Sequence, residues 1–492
     1  NDTATTEIYT LSLHDALPIL LQRSGRMRKK GMMTLVLSAL LSLGIMAGTV
    51  WAAEGWTQEG SSWVYYDSDG RKVTNTWRKG ADNLWRYLDG SGNMALNSWV
   101  DDEYYVDSNG IMVTDQWQKI AVNDSRISST GYAWYYLGSS GKMISDTWKK
   151  INDKWYLFDN DGVMQTGWAN DNMVYLGDDG AMRVGWLLLD PPEDEYYDDD
   201  DDDDYGPFAS NEGFDVNGKY WYYFKTDGEK FVPDDEYELR KIDGDYYCFD
   251  EYGRMRTGWI NVDGEDTIKS YRLMGSDGRM RTGWYSSTPP EDLEGDIFED
   301  EVNWYYFSSK GEPYMGPEEG SATTSDFEKI NGNTYLFNEY GNPVYGLQKV
   351  LVNGEETAYY FGDDKQTSCM IKGERRIEEG DGTMWDYYFT ESGSHAGRGY
   401  TGVKDNYLYY KGKLQKAESK YQMFEIPTGS SGNTTTYVVN SSGRIPKNTT
   451  VKDINGDKLK VNSRGVVTEI NGEKYDDSYS GGEAPVDPEW WN

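Results

Sequence analysis

Aromatic and polar residues alternate along most of the chain in short segments separated by turn sequences. In "KWYLFDNDGVMQTGW", residues 154–168, an aromatic strand precedes an acidic turn ending in glycine, a second short strand and a Gly-Trp pair. Alternation over four or five residues predicts half-buried β-strands, and glycine supplies the positive φ of tight turns. We predict a hairpin whose strands are residues 155–158 and 163–166, joined by a turn at 159–162.

The same unit recurs along the chain. Clear copies are "SSWVYYDSDGRKVTNTW" (61–77), "NLWRYLDGSGNMALNSW" (83–99) and "DNMVYLGDDGAMRVGW" (171–186), and weaker copies continue to about residue 475. Short Asn-Gly, Asp-Gly or Asn-Asp turns such as "KINDKWY" (150–156) and "KINGNTY" (329–335) link one unit to the next. One hairpin is marginal in water, so many copies must stack. The predicted fold class is all-β, a solenoid of tandem β-hairpins.

The composition of successive segments predicts six regions. They are a probable non-native leader (1–26), a signal peptide (27–52), Trp-rich hairpin repeats (53–190), an Asp-rich loop (191–212), degenerate hairpin repeats (213–475) and a linker-like tail (476–492). The run Asp198 to Asp204 favours a solvated loop over a weak calcium-attracting patch, because no spaced ligand pattern accompanies it. The repeats leave no room for a separate catalytic domain.

The region from Met27 to Ala52 has the pattern of a secretory signal. A basic segment is followed by the apolar run 32–50 and a small-residue cleavage pattern ending at Ala52. An uncleaved membrane anchor is the alternative, since the run is just long enough to span a bilayer. We expect cleavage, no stable membrane insertion afterwards and a secreted, cell-surface protein. The preceding 26 residues resemble translated adapter DNA and are set aside.

The charge and composition narrow the possible partners. The 492 residues carry a net charge of −36, with 41 Tyr, 19 Trp and 55 Gly. Nucleic acid is excluded as a partner, because phosphate binding needs basic patches, whereas cationic ligands and neutral sugars remain open. Cys248 and Cys369 are read as buried small side chains rather than as a long-range disulfide bridge.

The chemistry needed for catalysis is scarce. His395 is the only histidine outside the leader, so histidine-based nucleophilic catalysis and multi-histidine metal sites are nearly excluded. The many carboxylates lie in repeated turns or runs, and turns such as "DNDG" (159–162) lack the terminal carboxylates of a calcium loop. We therefore expect no catalytic residues, no metal and no cofactor.

The recurring tryptophans are the candidate binding groups. Trp148 and Trp155 are separated by one tight turn and can face one another, and Trp168 with Tyr175 can repeat the arrangement. Converging aromatic faces attract a quaternary ammonium group by cation–π interaction. Met143, Met164 and Met182 could line the floor of such cages. The alternative is that the aromatic rings only pack one hairpin on the next.

The segments 55–77 and 146–168 resemble the choline-binding, or cell-wall-binding, repeats of Gram-positive surface proteins, a style that recurs in glucan-binding regions of glucosyltransferases and in clostridial toxins. The resemblance implies a superhelix of hairpins with choline of teichoic acids held between neighbours in three-aromatic cages. The ligand-binding residues expected from this pattern are Trp56, Trp63, Trp77, Trp85, Trp99, Trp117, Trp134, Trp148, Trp155, Trp168, Tyr175, Trp186, Trp259 and Trp284.

Some positions depart from the family pattern. Tyr246 and Tyr271 stand in for the strand tryptophan beside Trp259 and Trp284, and Val174 stands where a tryptophan would complete the cage after Trp168. The resulting hypothesis is a non-enzymatic protein that binds choline-bearing teichoic acid or a related cell-wall polysaccharide. A carbohydrate-binding module for glucans or host glycans, and a structural surface spacer without ligand, are the alternatives.

Overall fold

A computed structural model describes residues 54–123, 130–193, 218–290, 293, 302–317, 320–427, 433–475 and 482–489. The leader, the signal segment, the Asp198 to Asp204 run, Trp490 and Trp491 lie outside these ranges. In the described ranges, no helix has the length and apolar character needed to cross a membrane. The chain divides into two compact units, residues 1–112 and 113–492.

The first unit contains six strands in its described part. They are β1 (Gly55–Glu59), β2 (Ser62–Tyr66), β3 (Thr76–Lys79), β4 (Trp85–Leu88), β5 (Ser98–Val100) and β6 (Tyr104–Val106). They pair consecutively as three antiparallel hairpins.

The second unit begins with nineteen strands, most of them paired as consecutive hairpins. They are β7 (Gln116–Ala121), β8 (Tyr132–Leu137), β9 (Thr147–Ile151), β10 (Lys154–Phe158), β11 (Gly167–Ala169), β12 (Val174–Leu176), β13 (Gly185–Leu189), β14 (Tyr220–Phe224), β15 (Tyr237–Ile242), β16 (Asp245–Asp250), β17 (Met255–Arg256), β18 (Gly258–Asn261), β19 (Tyr271–Met274), β20 (Gly283–Ser287), β21 (Asn303–Phe307), β22 (Glu328–Ile330), β23 (Asn333–Tyr335), β24 (Leu347–Val352) and β25 (Glu355–Tyr360). Among the described residues, 3-10 turns accompany these strands at Ile268–Ser270 and Thr324–Asp326.

Eleven more strands complete the second unit. They are β26 (Gly373–Glu378), β27 (Met384–Phe389), β28 (Gly402–Lys404), β29 (Tyr407–Tyr410), β30 (Lys413–Leu414), β31 (Tyr421–Pro427), β32 (Thr434–Asn440), β33 (Thr449–Lys452), β34 (Lys458–Val461), β35 (Val467–Ile470) and β36 (Glu473–Lys474). The all-β fold of tandem hairpins predicted from the sequence is confirmed.

The pairing within each hairpin differs from the sequence prediction. Strand 155–158 pairs along its length with β9 across the turn at Asn152 and Asp153, not with residues 163–166. The predicted return strand is reduced to one bridge between Phe158 and Met164. The Asn-Asp turn wins because both its residues have positive φ, 48° and 66°, the geometry that continues the twist of two long strands.

The acidic turns end one hairpin and lead into the next. At residues 159–162 the Asp159 carboxylate accepts hydrogen bonds from the amides of Asp161 and Val163, at 3.0 and 2.7 Å, while the Gly162 amide donates to the Asp159 carbonyl. The carboxylate is thus a turn-forming group. The sequence interpretation of these aspartates as turn residues is confirmed.

The methionine that follows the second strand of a hairpin donates a backbone hydrogen bond to the strand tryptophan of the preceding hairpin. The Met164 amide donates to the Trp134 carbonyl at 2.8 Å, and Met182 donates to Trp155 at 2.9 Å. The same contact joins Met94 to Trp63 and Met112 to Trp85 inside the first unit. Each repeat therefore fixes the strand tryptophan of the preceding one.

The methionine side chains pack on the glycine of the following turn. A Cβ placed on Gly162 would lie 2.4 Å from the Met143 sulfur, and one on Gly180 would lie 2.2 Å from that of Met164. Met182 packs in the same way on Gly228. The three methionines expected to form cage floors are thus engaged with neighbouring turns.

The C-terminal repeats form larger sheets than single hairpins. Strands β26 to β30 make a five-stranded sheet, and β33 to β36 a four-stranded sheet. Aliphatic and phenylalanine side chains such as Leu408, Phe424 and Val439 fill the core here. The C-terminal region thus holds its fold with few tryptophans, as the sequence predicts.

Residues 482–489, part of the segment expected to be a linker-like tail, lie against the C-terminal sheets. Glu483 bridges Phe424 in parallel, and Gln415 exchanges hydrogen bonds with the backbone of Val486. Both cysteines are free thiols; Cys248 is buried and Cys369 partly so. The interpretation of Cys248 as a buried small side chain is confirmed.

Candidate functional site

The tryptophans meet at the contacts between successive hairpins. Each contact, here called an aromatic junction, combines three positions. The closing residue lies on the first strand of a hairpin, the strand residue lies diagonally across on its second strand, and the third residue comes from the following hairpin. The junction formed by Trp117, Trp134 and Tyr156 shows all three as aromatic rings.

In this junction the rings converge nearly at right angles. The Trp117 and Trp134 centroids are 6.4 Å apart at 85°, and Trp117 and Tyr156 are 4.9 Å apart at 66°. Phe158 stacks on Trp117 from the next hairpin at 28°. Trp134 keeps 42% of its surface exposed, so the junction opens to solvent. An exposed aromatic face such as that of Trp134 attracts cations.

Four other junctions also contain three rings. Two of them use closing tryptophans whose strand residue, Trp221 or Trp304, stands 6.5 Å away at about 80°. The four sets are Trp77, Trp85 and Tyr104; Trp186, Trp221 and Tyr247; Trp259, Tyr271 and Tyr305; and Trp284, Trp304 and Tyr335.

Hydrogen bonds orient the closing indoles. The Nε1–H of Trp56 donates to the Lys79 carbonyl at 3.0 Å, that of Trp168 to Asp190 at 2.9 Å, and that of Trp259 to Thr288 at 2.7 Å. Each acceptor belongs to the next hairpin or the segment directly after its first strand. The indole edge is satisfied by backbone, which leaves the ring face for packing or for a ligand.

The junction of Trp148 and Trp155 lacks the third ring. The register places both indoles on one face of β9 and β10, because Trp148 is opposite Leu157 and Trp155 is two residues away on that strand. The position that Tyr156 holds in its hairpin is occupied by Val174 in the next. The sequence analysis assigned Val174 to a tryptophan position after Trp168; the register places it at the third position behind Trp155 instead.

Trp168 contacts two tyrosines. Tyr175 is its cross-strand partner, with centroids 5.3 Å apart at 79°, and Tyr222 of the following hairpin is 5.0 Å away at 78°. Trp99 packs against its cross-strand partner Tyr105 at 5.4 Å. Both predicted residues therefore lie in aromatic contacts, but the strand position diagonal to each holds Met173 or Glu103 instead of a tryptophan.

Trp56 and Trp63 line a cavity of about 440 Å³. Its other walls include Met94, Asn109 and the pair Asp82 and Arg86. Arg86 stands where later repeats place the third aromatic ring, and its Nη1 and Nη2 donate to the Asp82 carboxylate at 2.8 and 2.6 Å. The guanidinium lowers the pKa of Asp82 to about 2, so the pair is ionised at neutral pH.

Lysine ammonium groups lie over two of the strand tryptophans. The ammonium of Lys119 is 6.0 Å from the Trp134 centroid, and that of Lys79 is 5.0 Å from that of Trp85. Both lysines are exposed. Burial raises the pKa of Tyr305, which keeps the phenol of its junction neutral at physiological pH.

Sequence reasoning missed the third ring of every junction, as well as Trp221 and Trp304. It associated Trp259 with Tyr246 and Trp284 with Tyr271, one hairpin too early. The strand register instead places Tyr271 diagonally across from Trp259, and Trp304 diagonally across from Trp284. The available signal was the second aromatic in "KWYLF", "YWYYF" and "NWYYF", whose side chain points to the opposite strand face and so toward the preceding hairpin.

Metal binding receives no geometric support from the residues that the structure describes. They contain no group of three histidine, cysteine, aspartate or glutamate side chains placed to hold a metal ion. The turn aspartates direct their oxygens to backbone amides.

Family models match this part of the chain. Choline-binding repeats match at residues 53–99 and 93–119, and a cell wall binding repeat matches at 130–143, 146–164 and 214–230. The chain therefore carries choline-binding, cell-wall-binding repeats in these segments. All five closing or strand tryptophans from Trp56 to Trp99 lie within the first match.

Relatives of known sequence and structure are similar only over parts of the chain. Glucosyltransferase-S from Streptococcus mutans serotype c is 26% identical over 247 residues, which are 45% of this chain and 14% of that protein. The modular autolysin LytC of Streptococcus pneumoniae is 22% identical, with a TM-score of 0.36 over 59% of this chain and 52% of that one. CbpJ of the same species is 20% identical, with a TM-score of 0.34 over 64% and 99%.

Proposed function

We propose that this chain, whose repeats are of the choline-binding kind, is a secreted, non-enzymatic protein that docks on choline-bearing cell-wall polymers such as teichoic acid. The observation that carries the proposal is the junction of Trp117, Trp134 and Tyr156, where three rings converge and Trp134 remains exposed to solvent. No other described feature offers a recurrent binding chemistry.

The physical basis is the attraction of a diffuse cation to aromatic faces. A quaternary ammonium carries no hydrogen-bond donor, so ring faces replace its weak hydration at little cost. Each ring contributes about 0.5–2 kcal/mol, depending on desolvation. The strongly acidic chain adds a favourable field for a cation, and the closing indole is already oriented by backbone.

Repetition converts weak sites into firm attachment. Five junctions hold three aromatic rings, and a wall polymer presents many choline groups on one strand. Binding at one junction raises the effective concentration of choline at the next, so avidity exceeds the affinity of any single site. Such a protein attaches without any single tight pocket.

The test separates choline recognition from simple ion exchange. The full mature chain is applied to a quaternary-amine matrix in about 1 M NaCl, where the Debye length is about 3 Å and non-specific charge attraction is screened. We expect retention, followed by elution when choline chloride replaces NaCl at constant ionic strength. Passage through the column at this salt concentration would contradict the proposal and favour a structural spacer.

A second candidate function, saccharide binding, is supported by the cavity beside Trp56 and Trp63. Two indoles offer stacking surfaces, while Arg86, Asp82 and Asn109 supply polar groups for hydroxyls. The Arg86 guanidinium disfavours a cationic ligand in this cavity. Because its charge is balanced by the Asp82 carboxylate, the cavity suits an uncharged ligand. The partial similarity to a glucosyltransferase is consistent with a glucan as the ligand.

Calorimetric titration with glucan oligosaccharides tests this second function. We expect binding that free choline does not compete, and its loss in Arg86→Tyr, which rebuilds the third ring. Arg71→Tyr is the control, because Arg71 lies in the first unit but does not line the cavity. Equal binding by the two variants, or none by the unaltered chain, would count against a saccharide site here.

A further inference from the structure

One aromatic junction is filled by a side chain of the protein itself. The ammonium of Lys230 lies 5.2 Å from the centroid of Trp168 and 5.5 Å from that of Tyr222. These two rings are the closing and third residues of one junction, 5.0 Å apart at 78°. Only 3% of the Lys230 surface is exposed. A buried cation therefore stands where the rings of this junction converge.

The position of Lys230 in the repeat explains how the ammonium reaches the rings. Lys230 bridges Phe224 as Met164 bridges Phe158, and its amide donates to the Met173 carbonyl at 2.7 Å. Six other repeats place a methionine at this bridge: Met94, Met112, Met143, Met164, Met182 and Met280. Lysine thus replaces the repeat methionine at a junction whose strand residue, Met173, is not aromatic.

A lysine at this bridge position does not always place its ammonium group between two aromatic rings. Lys72 holds the equivalent position in the first unit, but its ammonium lies 3.5 Å from the Glu59 carboxylate and 3.5 Å from the Asn93 side-chain oxygen. Lys79 and Lys119 lie over strand tryptophans but are exposed. Lys230 differs from all three by being buried against two rings.

We infer that Lys230 is an internal ligand, whose ammonium occupies the cation position between Trp168 and Tyr222 and keeps external quaternary ammonium groups out of this junction. The inference rests on the proposed function, because it treats the junctions as cation sites. It makes this junction a permanent link between the β11–β12 and β13–β14 hairpins. With Tyr175, the cross-strand partner of Trp168, the junction still offers three rings, whereas Trp148 is opposite Leu157 and has no such ring. The junction is therefore a latent choline site that one substitution opens.

The substitution Lys230→Met tests the inference with the residue that six equivalent positions already hold. Choline binding to the full mature chain is counted by equilibrium dialysis. We expect one more choline bound per chain in Lys230→Met than in the unaltered protein. Lys225→Met is the matched control: it removes the same charge from a half-buried residue five positions away and leaves the count unchanged. Equal counts in Lys230→Met and the unaltered chain overturn the inference.

The outcome is distinguishable from failure of the proposed function. If the unaltered chain binds no choline, the proposed function fails, whereas the comparison with Lys230→Met still decides the role of Lys230. A second measurement needs no variant. Ring currents should shift the Lys230 ε-methylene protons upfield in NMR spectra, and saturating choline should leave them there. Absence of the upfield shift, or displacement by choline, overturns the inference even if Lys230→Met fails to fold.

Discussion

The Trp117 and Tyr156 rings lie 4.9 Å apart at 66°, although the two residues belong to different hairpins. Neither hairpin alone contains the junction, so the order of hairpins along the chain decides which rings meet. The same relationship joins Trp186 to Tyr247 and Trp284 to Tyr335. The binding unit is therefore the contact between neighbours, and its chemistry depends on a residue about 30 to 60 positions away.

Trp134→Ala should remove one choline site, and Trp155→Ala should not. Both indoles are 42% exposed and hold the same strand position, but the junction of the first includes Tyr156 and that of the second has Val174 at the third position. Loss of one ring contributing about 0.5–2 kcal/mol weakens that site about 2- to 30-fold. Choline titration followed by tryptophan fluorescence measures both variants. Equal losses would show that a third ring is irrelevant.

Gly162→Ala should destabilise the second unit by about 2–4 kcal/mol. A Cβ at this position would lie 2.4 Å from the Met143 sulfur, and the alanine would have to adopt a φ of +72°. Overpacking therefore adds to backbone strain. Gly185→Ala is the control, because its φ is +81° but no atom lies within 4 Å of the new Cβ. Its cost should be about 1 kcal/mol. Urea unfolding compares the two, and equal midpoints would refute the role of the methionine contact.

Asp82 should titrate at about pH 2 in the folded protein and nearer its ordinary value in Arg86→Gln. The hydrogen bond from Arg86 is the main cause of the lowered pKa, and the Leu84 amide adds to it. A carboxyl group whose pKa is lowered by folding stabilises the folded protein at pH values above its pKa in the unfolded chain. This stabilisation is lost as the pH falls through about 2. Carboxyl chemical shifts recorded between pH 1.5 and 6 give both values. An unchanged midpoint in the variant would contradict the pairing.

Cys248 should resist alkylation by iodoacetamide at pH 8 until the protein unfolds. Burial raises the pKa of its thiol to about 12, so the reactive thiolate is scarce and the sulfur inaccessible. Mass spectrometry of tryptic peptides before and after addition of urea measures the labelling of each cysteine. Rapid native labelling of Cys248 would show that the strand β16 opens readily.

Much of the architecture was predictable from local sequence. Alternating aromatics such as Trp155 to Phe158, and turn pairs such as Asn152 with Asp153, specify strands and reversals within about ten residues. The choice between two candidate turns was not, since "NDG" at 160–162 and "IND" at 151–153 both permit a reversal. The turn at Asn152 and Asp153 forms the hairpin, because both residues accept positive φ and the turn joins β9 to β10 over five residue pairs.

The closing and strand tryptophans could likewise be identified from the sequence, but the third residue of each junction could not. Val174 illustrates the difficulty: without the register it looks like a lost tryptophan, whereas its position makes it a lost tyrosine of the preceding junction. The C-terminal sheets show the same limit, since β30 pairs not only with its neighbour β29 but also with β27, across the intervening chain.

The sequence by itself determined the repeating hairpin, the turn chemistry and the supply of aromatic rings, because those depend on residues near one another in the chain. Only the tertiary structure decided which rings converge, that Arg86 replaces a ring beside Trp56 and Trp63, and that the Lys230 ammonium fills the pair Trp168 and Tyr222. These outcomes depend on how one hairpin lies on the next, where side chains far apart in the chain compete for the same space.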